Sequence, residues 1–366
     1  MAVDHFFKEI GEAVGKQGFA KTKQDSWVAL EFENETKLPF PKPDIPGYKY
    51  HTENSLRYHG FEYVFASPKP LAEVRGVSDT YFQMIHNARG KTNPLTNSAR
   101  TSTHVHFDIT RWTFVEALNW ALVYWLAEPA LSEFCGIDRQ GNHFCLRYKD
   151  AMMAQSALTS SIKKCSPYSS SVFNPEYRYG SLNFNSWAKF GSMEFRMLQG
   201  VSDNTKLMDW VYILEKTRSY ALKFKDPKEL YKHFIHEIPA EEFMKLVFGE
   251  YYYLIMKHIP SGLDVTNEVR QAFMTLTPLM LSGGDWKFEK EREEEKKKKT
   301  TGQIYWDNSA ATAVWQAFSI PAGGMPMFPE ETTNWSEAEL PYQYSEDFPN
   351  VWDGQTTLAP DPSIDL

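Results

Sequence analysis

Thr103-His104-Val105-His106-Phe107-Asp108 is the stretch on which the fold turns. Its polar and apolar residues alternate, so as a strand it sends two imidazoles to one face and Val105 and Phe107 to the other. The same period recurs in Leu30-Glu31-Phe32-Glu33 and in Ser192-Met193-Glu194-Phe195-Arg196-Met197. If these strands share one sheet with helices over its apolar side, the opposite side gathers carboxylates, imidazoles and a guanidinium on a rigid floor. That inventory suits a divalent metal together with phosphate.

Around these strands the pattern predicts the remaining elements. Residues 4–19 read as a short amphipathic helix with Phe6, Phe7, Ile10, Val14 and Phe19 inward, and the first strand spans 27–33. Lys37 to Tyr48, with four prolines, reads as a loop, and Gly60 to Ala66 as a second strand carrying Glu62. A helix from Pro70 to Ala88, a polar loop from Lys91 to Thr101, and a strand from Val105 to Ile109 follow, after which Thr110 caps a helix running to Cys135. That helix is apolar around most of its circumference, which predicts burial against the sheet. A Ser/Lys/Pro/Tyr-rich stretch from Ser156 to Tyr179 leads to Leu182-Asn-Phe-Asn, and a Lys189-Phe-Gly191 turn precedes the Met193–Leu198 strand. The pattern from 202 to 281 is helical.

Composition bounds the function. The net charge of -8 comes almost wholly from the end of the chain, where ten acidic residues and no Lys or Arg follow Lys299. The rest is nearly neutral and lacks a basic stripe, which excludes a nucleic-acid-binding footprint. Three cysteines at wide spacing predict neither disulfides nor a zinc–cysteine site, and with no signal-like N-terminus or membrane span the expected place is the cytoplasm. Residues 286–302 read as a charged linker and 303–366 as an acidic, aromatic and Pro-rich tail.

Each polar pair has a plain alternative. An isolated Glu-x-Glu is more often a solvated strand face than a metal site, but Phe32 and the run before Glu31 indicate a central strand, where two carboxylates need cations nearby. His-x-His is moderately specific for metal; a core histidine explains one imidazole more easily than two on one face. Glu194 and Arg196 alone would pass for a salt bridge, although an Arg fork beside a metal-binding acid can hold both halves of a metal–phosphate complex.

In order, Leu30-Glu-Phe-Glu33, Asn54-Ser-Leu56 with Gly60-Phe-Glu62-Tyr-Val-Phe-Ala-Ser-Pro68, Arg100-Thr-Ser-Thr-His104-Val-His106-Phe-Asp108, Tyr177-Arg178-Tyr-Gly-Ser-Leu-Asn183 and Met193-Glu194-Phe-Arg196 resemble the amidoligase family of the glutamine synthetase and glutamate–cysteine ligase superfamily. The resemblance covers residues 27 to about 200. It implies an α+β fold of glutamine synthetase type, a mostly antiparallel curved sheet backed by helices, within a catalytic domain spanning 1–285. It also implies an ATP-dependent carboxylate–amine ligase that forms an amide through an acyl phosphate. Glu31, Glu33, Glu62, His104, His106 and Glu194 would then hold two or three magnesium ions, Arg178 and Arg196 would meet phosphate, and Asn183 would order the site with them. Members are often encoded by bacteria and phages, so the implied setting extends to a host cytoplasm. The family has Asp-x-Ser-Leu where this chain has Glu53-Asn-Ser-Leu56, and nothing after residue 202 matches it.

The expected partners are small-molecule or peptide carboxylates and amines. Two other readings stay open: a metal-dependent hydrolase, and a non-catalytic structural or virion-associated protein whose tail binds a partner or builds a homo-oligomer.

Overall fold

A computed structural model describes residues 6–282 except 53, 54, 165 and the side chain of Glu241. All of these lie within one compact unit. The linker and tail read from the sequence fall outside the described residues.

The protein is α+β. Its strands are β1 Trp27–Thr36, β2 Tyr48–His51, β3 Phe61–Phe65, β4 Lys69–Pro70, β5 Leu95–Thr96, β6 Ser102–Asp108, β7 Leu182–Asn183 and β8 Ser192–Gln199. They form one open sheet in the order β2-β3-β1-β6-β8-β7, with β4 and β5 also pairing with β1, and every pairing is antiparallel. The helices are α1 Ile10–Val14, α2 Leu71–Arg89, α3 Phe114–Cys135, α4 Met152–Lys163, α5 Asn185–Phe190, α6 Asn204–Ala221, α7 Pro227–His236, α8 Ala240–Phe248, α9 Tyr252–Met256 and α10 Val265–Ser282.

Period-two alternation decides which sheet face is buried. Val28, Leu30 and Phe32 of β1, Val105 and Phe107 of β6, and Met193 and Phe195 of β8 are all buried. α2 covers the β1 side, where Tyr81 stacks on Phe32 with centroids 4.1 Å apart. α3 covers the β6–β8 side: Trp120 lies 5.2 Å from Phe107 and 5.1 Å from Phe195. Each ring removed from water there stabilises the fold by about 2–3 kcal/mol. Two of the polar residues that interrupt the α3 pattern, Glu116 and Asn119, have structural uses. Glu116 closes a capping box with Thr113, and Asn119 Nδ2 donates to the Phe224 carbonyl at 2.9 Å. No described helix is long and apolar enough to cross a membrane.

Several expectations need correction. The helix expected at 4–19 is only Ile10–Val14, because Gly15 turns left-handed at φ 67° and ends it; Phe19 is then 47 % exposed rather than inward. The cap of α3 is Thr113, not Thr110, whose hydroxyl instead donates to Asp108. The expected turn at 189–191 is the end of α5, closed by left-handed Gly191. The Pro-rich run yields to strand β2 at Tyr48, and α4 occupies 152–163 within and just before the stretch read as irregular.

Glu128 of α3 is buried, accepting from the Ser181 hydroxyl and from the Tyr148 N–H at 2.8 Å, and burial pushes its carboxyl up to about 7. A carboxyl that stays protonated longer in the folded state than in the unfolded one costs stability as pH rises from its ordinary value toward 7. Gln in its place mimics the protonated form. Glu128→Gln therefore unfolds at the same temperature as the parent near pH 4 but gains about 3 kcal/mol by pH 8; equal melting curves at pH 8 would remove the buried acid from the account.

Candidate active site

The face left open by the helices carries the predicted residues. Register places Ala29 opposite His106, Glu31 opposite His104 and Glu33 opposite Ser102, while β8 sets Glu194 opposite His106 and β3 sets Glu62 opposite Glu33. The β6–β8 ladder slips by one residue between Thr103 and Val105. A bulge of this kind re-aims a side chain, and here it accompanies the approach of Arg196 Nη1 to within 3.5 Å of His104 Nδ1.

His104 is fully buried at the centre of the cluster. Its Nδ1 lies 3.3 Å from Glu31 Oε1 and 3.8 Å from Glu194 Oε1, and its Nε2 lies 3.5 Å from Glu33 Oε2. His106 Nε2 lies 3.5 Å from the other Glu31 oxygen. Arg196 Nη1 donates to Glu194 Oε1 at 2.6 Å, and Asn183 Nδ2 donates to Glu194 Oε2 at 2.8 Å. Ser102 meets His104 Nε2 at 2.8 Å and donates to Glu33.

Opposed charges set the protonation of this cluster. Burial would raise the Glu31 carboxyl, but the charge of His104 and hydrogen bonds from both histidines outweigh it and hold it well below its ordinary range. At Glu194 burial is likewise overcome by His106, Arg196 and His104, and the carboxyl is lowered. Burial pulls the His106 imidazole down, while Glu194 and then Glu31 push it up by more. Burial also opposes the Arg196 guanidinium, yet Glu194 and Glu33 hold it more firmly charged.

Among the described residues, two groups of donors have ligand atoms within 4.8 Å of one another: Glu31, His106 and Glu194, and Glu31, Glu33 and His104. Glu31 belongs to both. Three carboxylates against one guanidinium in a mostly buried setting suit divalent cations, and oxygen-rich donors suit hard ones. Arg196 Nε is buried without a hydrogen-bond partner. The residues thus fit a metal with a bound anion.

Above them opens a cavity of about 1000 Å³ bordered by Glu62, Arg178, Asn183, Lys49, His51 and Lys189. Glu62 lines it without belonging to either donor group, and Arg178 is an exposed residue of the 3-10 helix Pro175–Tyr179. Ser102, Lys49, His51 and Lys189 were not anticipated from the sequence. Extending the His-x-His alternation back by two residues finds Ser102, and β2 turns Lys49 and His51 to the site by the same period. Asp108, next in line after His106, is no part of the cluster. Its carboxylate accepts from the N–H groups of Phe19, Ala20 and Thr110 and from the Thr110 hydroxyl, and so pins the N-terminal segment.

The family described as "Putative amidoligase enzyme" matches residues 76–218, rather less than half the chain. The match includes His104, His106, Arg178, Asn183, Glu194 and Arg196 and leaves Glu31, Glu33 and Glu62 outside it. It supports a ligase-type function. No curated protein matches the chain.

Proposed function

We propose that this cleft is the active site of an ATP-dependent carboxylate–amine ligase with a fold of glutamine synthetase type, acting on a small-molecule or peptide carboxylate and an amine. The observation that carries the proposal is Glu31, one carboxylate shared by two donor groups and set beside the Arg196–Glu194 pair. Magnesium held there would supply charge neutralisation for nucleotide phosphates and for the phosphoryl group in transfer. Glu31, Glu33, Glu194, His104 and His106 are the residues to hold it, with Glu62 at the border.

The chain's own groups would do the positioning. Asn183 fixes the Glu194 carboxylate, Ser102 fixes Glu33, and Arg196 presents its guanidinium to phosphate oxygens, with Arg178 reaching the cavity from the rim. In the reaction proposed, a substrate carboxylate oxygen attacks the γ-phosphorus of ATP and ADP leaves, giving an acyl phosphate. The amine nitrogen then attacks the acyl carbon, loses a proton and expels phosphate. No enzyme nucleophile is required; Cys135 and Cys145 are buried, and burial pushes both thiols up, away from reactivity.

Calorimetric titration with ATP tests this reading. Binding is expected to require magnesium, and Glu33→Ala, which removes a donor from one group only, to weaken it by on the order of a hundredfold. With hydroxylamine as a generic amine, an accepted carboxylate yields a hydroxamate and ADP. Magnesium-independent binding, or none in the folded wild type, would refute the ligase reading.

A further inference from the structure

The polar face changes character at one end. Ala29, opposite His106 in register, and Ala66, just beyond β3, border a second cavity of about 320 Å³, together with Gly18 and Gly191. Glu31 and His106 line this cavity as well as the larger one, so the two adjoin at the metal-donor residues. Two aromatic residues that the core does not use border it: Phe19, 47 % exposed, and Phe190, 54 % exposed. The Phe190 ring stands edge-on to His106 with centroids 6.1 Å apart, and Phe19 leans on Trp27 at 5.5 Å.

The slot offers ring faces, and several of its backbone groups are already engaged. The Phe19 N–H donates to Asp108 at 2.5 Å, the Ala66 N–H to the Gly47 carbonyl at 2.8 Å, and the Gly191 N–H to the Trp187 carbonyl at 3.0 Å; the Gly191 carbonyl accepts from Ile109 at 3.0 Å. Both Asp108 oxygens are engaged. A Cβ at Gly18 would stand 1.7 Å from Thr110 Oγ1 and 2.6 Å from each Asp108 oxygen, so only glycine fits where this segment passes Asp108 and Thr110. At the border remain Gln17 and Ser67, whose rotatable donors and acceptors suit more than one ring edge.

We infer that this slot receives the base of a nucleoside polyphosphate, held by stacking on Phe19 and Phe190 and not read at its edge, so that guanine and adenine nucleotides serve equally. The inference rests on the nucleotide-binding reading proposed above. It gives the cleft a direction: the base at the Ala29 end, the phosphates over Glu31, His106 and Arg196, and the remaining substrates at the end of Glu62 and Arg178. Stacking tolerates base identity because every base has a π-face.

The test is calorimetry on the full chain in magnesium with ATP, GTP and inorganic tripolyphosphate. ATP and GTP are expected to bind within about threefold of each other, each about tenfold or more tighter than tripolyphosphate. Phe190→Ala and Phe19→Ala should each weaken both nucleotides by about tenfold and leave tripolyphosphate unchanged, while Phe190→Tyr, which keeps the ring, retains affinity. Thermal melts check that the variants fold. If tripolyphosphate binds as tightly as ATP, if the alanine variants bind nucleotides like wild type, or if one purine is preferred by more than about thirtyfold, the slot assignment fails while the metal–phosphate site stands. If neither nucleotide nor tripolyphosphate binds the folded wild type, the ligase reading fails and the slot assignment with it.

Discussion

Glu31→Gln abolishes magnesium-dependent nucleotide binding and lowers amide formation by about a thousandfold or more, a loss of about 4 kcal/mol or more of transition-state stabilisation. The effect exceeds that at Glu33 because Glu31 alone stands in both donor groups, with one oxygen toward His104 and the other toward His106. Gln keeps the shape and removes the charge, so the loss is not one of folding. The substitution also has a stability signature. The Glu31 carboxyl is held below its ordinary range in the folded protein, so the stability it contributes is complete at neutral pH and disappears as pH falls through its lowered folded-state value. Wild type and Glu31→Gln should therefore differ in melting temperature at pH 7 and converge in acid. Metal titration is the primary readout; a variant that still bound magnesium and ATP at wild-type strength would overturn the shared-ligand assignment.

Arg196→Ala should combine the largest loss of stability with a loss of activity of about 10³-fold or more, the scale of removing a charge-stabilising arginine in phosphoryl transfer. Its Nη1 is bonded at 2.6 Å to Glu194, which is only 3 % exposed. Removing one partner of such a pair strands the other and costs about 3–5 kcal/mol. Arg196→Lys separates the two roles. A lysine restores part of the charge balance, and hence of the melting temperature, but lacks the planar fork that suits phosphate, so activity stays low. Full activity in the lysine variant would show that Arg196 only neutralises Glu194.

The strand floor was legible because period two is a strong local signal: Glu31, Glu33, His104, His106, Glu194 and Arg196 fall on one face by alternation alone, and their mutual approach follows once β1, β6 and β8 are neighbours. That β1 lies between β3 and β6 is a tertiary fact with no local trace. Neither was the slip of register beside His104 visible, since a bulge adds one residue without changing the residue types around it. Lys49 and His51 were hidden because four prolines just upstream read as a loop, and the strand begins where that run ends. Asp108 shows a different limit: alternation puts it on the same face, where it borders the smaller cavity, but its carboxylate is taken up by the N–H groups of Phe19 and Ala20, which had no sequence signal tying them to it. The limit of α1 at Gly15 and the cap at Thr113 were decided by single positions, where a left-handed glycine and a capping box outweighed the broader apolar pattern.

The donor cluster is assembled entirely from distant parts of the chain. Ser102 reaches Glu33 across 69 residues, and Arg196 reaches His104 across 92. Contacts of this span form only after long loops have closed, which makes such a sheet slow to fold. No fragment holding β1 alone, or β6 alone, contains a complete donor group, so cation capture is a late event that recognises only the finished sheet. A cation bound there stabilises the native state without favouring any partly folded form, and it therefore slows unfolding far more than it speeds folding.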